Sequence, residues 1–147
     1  MGDRPTGYMA AIQTFEDLLS WQEARALVRE VYALTASRAF QRDDGLRRQF
    51  QRAAVSTMAN VAEGFERKAT REFVSFLGIA RASAGEVRSH LYVALDLQMV
   101  SQETFDAVAA RTRTLISLID GMIRYLKTVD HRGHRYAPYA PPSNINP

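Results

Sequence analysis

The stretch Gly45-Leu46-Arg47-Arg48-Gln49-Phe50-Gln51-Arg52-Ala53-Ala54-Val55-Ser56-Thr57-Met58-Ala59-Asn60-Val61-Ala62-Glu63-Gly64-Phe65 decides the fold. Leu46, Phe50, Ala53, Thr57, Val61 and Phe65 recur at steps of four, three, four, four and four residues. A strand would alternate every second residue. A helix of 3.6 residues per turn brings all six onto one stripe. Around residues 55–63 the stripe broadens with the small residues Ala53, Ala54, Ser56, Ala59 and Ala62, which allow close approach of a neighbour or contact on two faces. Asp43 or Asp44 supplies an N-cap. Gly64, with Arg67 and Lys68 just beyond, marks the end.

The same period continues on both sides. Thr14 caps an expected helix from Phe15 to Ser37, with Glu16 and Asp17 at the positive end of its dipole. Leu18, Trp21, Val28, Val31 and Thr35 form its stripe. A polar connection spans Gln41 to Gly45. Beyond the central helix, Thr70 caps a third, expected to end near Met99, with Phe73, Leu77, Ala80, Ala84, Val87, Leu91 and Leu95 along one side. A second, more polar stripe holds Phe76, Ile79, Ser83 and Glu86. Gly78 and Gly85 sit in its interior, where each costs about 1 kcal/mol relative to Ala; a close helix crossing is expected there. Ser101 caps the last helix, Thr104 to Lys127, whose stripe is Phe105, Val108, Thr112, Leu115, Ile119, Met122 and Leu126. Ile116, Leu118 and Ile123 widen it, and more than one apolar face predicts a subunit interface.

Four helices with short links make antiparallel neighbours. The expected fold is therefore all-α, an up-down-up-down four-helix bundle over residues 14–129 that assembles into a ring. Residues 1–13 read as a flexible arm. Residues 130–147, with Gly133, Pro138, Pro141, Pro142 and Pro147, read as an irregular proline-rich tail. The chain's 147 residues suffice for one buried core. There is no cysteine, which removes disulfides, thiolate metal sites and cysteine nucleophiles. Neither a spanning apolar run nor a signal-peptide core is present, so a cytoplasmic location without membrane contact is expected.

Net charge is only +3, but the basic residues are 17 Arg against 2 Lys. Arginine's planar fork suits phosphate, and it equally suits ion-paired helix surfaces. Arg42, Arg47, Arg48 and Arg52 cluster at the start of the central helix, and Arg67, Lys68 and Arg71 at its far end. Two readings stand: sequence-independent contact with the phosphates of RNA or DNA, or a solvated face with ion pairs such as Asp44–Arg48 and Glu63–Arg67. Asn60, Glu63 and Gly64 are expected to hold the turn to the next helix, the amide and carboxylate bonding free backbone groups. Trp21 and Tyr32 share a helix face, where packing is the ordinary role and base stacking the alternative. Glu86 and His90 have the wrong spacing for a di-iron bundle site. Arg124 and His131 resemble a ribonuclease pair only by spacing, with His131 past the helix end. No catalytic residue, metal or cofactor is expected.

The segment Gly45-Leu46 through Gln49, Arg52-Ala53-Ala54, Ser56 and Asn60-Val61-Ala62-Glu63-Gly64 closely resembles the signature of the 23S rRNA intervening-sequence proteins. Trp21-Gln22-Glu23-Ala24, Val31-Tyr32-Ala33-Leu34-Thr35, Arg71-Glu72-Phe73 and Phe76-Leu77-Gly78-Ile79-Ala80-Arg81-Ala82-Ser83 resemble further family stretches in order. Two departures stand out: Thr57-Met58 replaces the family's usual Ile-Pro, predicting a straighter helix, and Ala82 replaces a frequent Gly.

The resemblance implies an antiparallel four-helix bundle assembling into a ring, typically a homopentamer. It also implies a relation to the accessory subunit of diversity-generating retroelements, which contacts nucleic acid and a reverse transcriptase. Two roles are thus expected. One is a non-enzymatic accessory factor binding the RNA or DNA backbone through Arg47, Arg48, Arg52, Arg67, Lys68 and Arg71. The other is a protein-interaction scaffold supporting a partner such as a reverse transcriptase.

Overall fold

A computed structural model describes residues 12–128; the expected tail at 130–147 and most of the expected arm at 1–13 lie outside these residues. Four long helices form the body: α1 Leu19–Thr35, α3 Asp44–Glu66, α4 Thr70–Asp96 and α5 Gln102–Thr128. A short helix, α2 Arg38–Gln41, lies in the first connection. No strand occurs among the described residues. α1 packs against α3 and α5, and α4 packs against α3 and α5. Each long helix therefore runs antiparallel to both neighbours, as the up-down-up-down reading expects.

Helix boundaries follow local chemistry. The first helix does not run unbroken from Phe15. Phe15–Asp17 forms one 3-10 turn, because the Asp17 carboxylate accepts from the backbone N–H groups of Gln13 and Thr14, both at 3.0 Å. Leu18 then takes an extended conformation and drives its side chain into the core at 1% exposure, and α1 starts after it. Asp43 caps α3 by accepting from the Leu46 N–H at 2.9 Å. Ser101 caps α5 by accepting from the Thr104 N–H at 3.1 Å. Thr70 does not cap α4: it is the first helical residue, and Ala69 holds the N-cap position. α3 is continuous through Thr57, whose hydroxyl donates to the Ala53 carbonyl at 3.0 Å.

The core is the sum of the four stripes. Phe50, Ala53, Val61, Phe73, Leu77, Ala80, Ala84, Val87, Leu91, Leu115 and Ile119 are all buried. α2 contributes Phe40, fully buried and edge-on to Phe50 at 5.9 Å between centroids, a core residue the polar connection did not suggest. Burial of side chains of this size stabilises by about 1.5–3 kcal/mol each. Leu118 is also buried within the chain, and Ile116 and Ile123 are partly so, so most of the widened face of α5 is covered in a single subunit.

The close helix crossing is at Gly64, and not at Gly78 or Gly85. A Cβ on Gly64 would stand 2.7 Å from Phe76 Cβ and 2.8 Å from the Phe73 ring, whereas one on Gly78 or Gly85 would meet nothing within 4 Å. Gly64 lies in phase with Val61 and Phe65. Gly78 and Gly85 lie out of phase with Leu77 and Ala84, and face outward.

Candidate nucleic-acid interface

The two basic clusters are separated by most of the length of α3. At 1.5 Å per residue, Arg48 and Arg67 are about 28 Å apart along its axis. They belong to opposite ends of the bundle and do not form one site.

At the start of α3, Asp44 receives both Arg47 and Arg48, the latter at 2.7 Å from Nε. The hydrogen bond from Arg47, together with the charges of Arg48 and Arg47, holds the Asp44 carboxyl below its ordinary value. Asp43 is occupied with its cap. Arg42 and Arg52 are exposed and have no ion-pair partner among the described residues. At the other end Arg67 pairs with Glu63 at 2.9 Å and lies 5.1 Å over the Phe76 ring. Lys68 and Arg71 are exposed and have no ion-pair partner among the described residues. Lys68 closes α3 with φ 58°, a left-handed conformation that costs a non-glycine residue about 1 kcal/mol. Exposed ion pairs of this kind are worth only about 0–1 kcal/mol, so Arg48 and Arg67 remain as available to a polyanion as the exposed Arg42, Arg52, Lys68 and Arg71, while Arg47 is 28% exposed.

Asn60 and Glu63 do not bond the α3–α4 turn as expected. The Asn60 amide donates back to the Ser56 carbonyl at 2.8 Å and reaches Ser56 Oγ at 3.1 Å. Ser56 Oγ meets Ser83 Oγ of α4 at 2.9 Å, so this trio links the two helices along their length. Glu63 spends its carboxylate on Arg67. Of the three residues, Gly64 sits at the close approach of the two helices, where it admits Phe73 and Phe76.

The arginines of α1 divide differently from its glutamates. Glu23 and Glu30, two turns apart, both bind Arg111 of α5 at 2.8 Å. On the other side of α1, Arg25 lies 5.7 Å over the Trp21 ring, which in turn packs on Phe15 at 5.1 Å. Arg29 is exposed, and Tyr32 is 48% exposed. Trp21 thus packs, while Tyr32 does not. Sequence reading passed over Arg25 and Arg29 because they form no run. Their signal is helical phase, opposite to Glu23 and Glu30.

A cleft of about 480 Å³ opens between α1 and α5, lined by Glu30, Leu34, Glu103, Thr104 and Val108. Its two carboxylates give it the wrong sign for phosphate. His90 faces the Phe50 ring at 6.1 Å. No group of three potential metal ligands occurs among the described residues, and no described helix is long and apolar enough to cross a membrane.

Fold and surface together define an antiparallel four-helix bundle with arginine-rich ends. The model of the 23S rRNA-intervening sequence protein family matches residues 16–121, and the chain belongs to that family. Among solved structures, it is similar to the crystal structure of a protein of unknown function from the S23 ribosomal protein family of Bacteroides thetaiotaomicron VPI-5482. That likeness has a TM-score of 0.66 at 16% identity, covering 72% of this chain and 99% of the other, and concerns the fold alone. No curated protein matches the chain.

Proposed function

We propose that the protein is a non-enzymatic, homo-oligomeric accessory factor that binds the backbone of RNA or DNA. The observation that carries this reading is the start of α3. There Arg42, Arg47, Arg48 and Arg52 surround Asp43 and Asp44 in sequence; Asp43 is committed to the helix cap and Asp44 takes Arg47 and Arg48. The surplus is guanidinium, the group best shaped for phosphate. No β-platform or recognition-helix motif appears among the described residues to read base edges, so binding is weakly sequence-specific and salt-sensitive.

Self-assembly is part of the proposal because of the outer face of α4. Gly78, Ala82, Gly85 and Ser89 are exposed at steps of four, three and four. Ile79 at 49% and Val93 at 42% exposure flank them. Small residues there, kept at a cost in helix propensity, would let a second helix approach closely. An assembly repeats each arginine cluster, and later contacts become effectively intramolecular.

The test is a filter-binding titration with RNA and DNA strands, comparing wild type with an Arg47/Arg48/Arg52→Ala variant that still assembles. Wild type binds at low salt and the variant is weakened severalfold. A wild type that binds neither strand at about 50 mM salt overturns the nucleic-acid reading in favour of a protein-interaction scaffold, for instance one that supports a reverse transcriptase.

A further inference from the structure

We propose that the α1–α3 face is a single-strand binding face on which Tyr32 stacks a base while Arg25, Arg29 and Arg52 hold the flanking phosphates. The inference rests on the nucleic-acid reading above and adds its substrate class and a base-stacking contact, which that reading does not supply.

Placement follows from helix phase and one cross-helix bond. Gln51 Nε2 of α3 donates to Thr35 Oγ1 of α1 at 2.9 Å, which sets the two helices level at that point. One turn back on α1 is Tyr32, and one turn on along α3 is Val55. Both are exposed, at 48% and 41%. Arg29 and Arg25 continue along α1 on the side of Trp21 and Tyr32, away from Glu23 and Glu30. Arg48 and Arg52 border the same face from α3, seven and three residues before Val55.

The charge on this face is lopsided for a physical reason. The acidic residues of α1 that have ion-pair partners are both drawn to the α5 side by Arg111. Among the described residues, Arg25, Arg29 and Arg52 have no ion-pair partner, and Arg25 is held against Trp21. An exposed tyrosine among unpaired arginines is an unfavourable surface for folding alone. It combines a π-face with charges that a polyanion of unstacked bases would satisfy together. A duplex satisfies only the charges, because its bases are stacked internally and the ring cannot reach them.

The test uses fluorescence anisotropy at low salt with three probes: an oligouridylate and an oligothymidylate of roughly 20 nucleotides, and a duplex of the same length. Single strands bind more tightly than the duplex. Tyr32→Ala weakens single-strand binding about tenfold, within the range for one lost stack, and leaves duplex binding unchanged. Tyr32→Phe keeps wild-type affinity. An Arg25→Ala/Arg29→Ala variant weakens all three probes. Preference for oligouridylate assigns RNA as the ligand, and equal affinity assigns any single strand. Duplex binding as tight as single-strand binding, or Tyr32→Ala binding like wild type, overturns this face while leaving backbone binding elsewhere intact. Loss of assembly in Tyr32→Ala, with binding per subunit unchanged, also overturns it and assigns Tyr32 to a protein contact. If no probe binds wild type, the broader nucleic-acid reading fails with it.

Discussion

Gly64 of α3 and Phe76 of α4 approach so closely that a methyl group on residue 64 would stand 2.7 Å from Phe76 Cβ. The Phe73 ring closes the same space, so neither helix can yield by moving one flexible side-chain end. Gly64→Ala gains up to about 1 kcal/mol of helix propensity, against an overpacking cost of about 1–3 kcal/mol. The variant is expected to be less stable by about 1–2 kcal/mol, with a melting temperature several degrees lower by circular dichroism. A melting temperature equal to or above wild type would show that the hairpin can open freely.

The 3-10 turn before α1 should be pH-sensitive. Hydrogen bonds from the Thr14 and Gln13 backbone hold the Asp17 carboxyl below its ordinary value of 3.8. A lowered folded-state pKa stabilises above the unfolded value, and that stabilisation disappears as pH falls through the folded value. The turn should loosen below about pH 3.8 and hold above it. The chain's single tryptophan, Trp21, reports this because it packs on Phe15. Its fluorescence should change in that window in wild type. In Asp17→Asn the low-pH step should be absent.

Arg111 joins α5 to α1 by receiving Glu23 and Glu30, with all three side chains about a third exposed. Charge-assisted bonds of this kind are worth more than fully exposed ones but are still screened. Arg111→Ala should cost about 1–2 kcal/mol by urea unfolding. A double-mutant cycle with Glu30→Gln should give a coupling of about 0.5–1 kcal/mol that shrinks with added salt. Zero coupling at low salt would show that Arg111 acts through packing alone.

Assembly through the outer face of α4 makes a sharper demand. Ala82 is exposed in the middle of the small-residue row. Ala82→Arg should leave helix content unchanged and convert the oligomer to monomer by multi-angle light scattering at micromolar concentration. Wild type that is already monomeric there removes the assembly from the account. An Ala82→Arg protein that keeps the wild-type mass places the interface on another face.

What was legible in the sequence was what lies within one helix. The stripes of α3 and α4, the caps at Asp43 and Ser101, and the ion pairs Asp44–Arg48 and Glu63–Arg67 all depend on residues three to four apart. Features that depend on how helices pair were not legible. Arg111 lies 81 residues from Glu30 and 88 from Glu23, and Arg81 lies 39 from its partner Asp120. No spacing rule connects them. Phase against the apolar stripe would have separated Gly64 from Gly78 and Gly85. Their shared rarity in helix interiors concealed that difference. Phe40 escaped because a four-residue helix is too short to show a period.

The salt dependence of binding tests the central claim most directly. For single strands the slope of log affinity against log salt is about −0.7 per neutralised phosphate, so four arginines on one subunit give about −3. An assembly that repeats these arginines should exceed that slope, and the Arg47/Arg48/Arg52→Ala variant should bring it back toward zero. Binding that does not change with salt, or no binding at about 50 mM salt, would contradict the account.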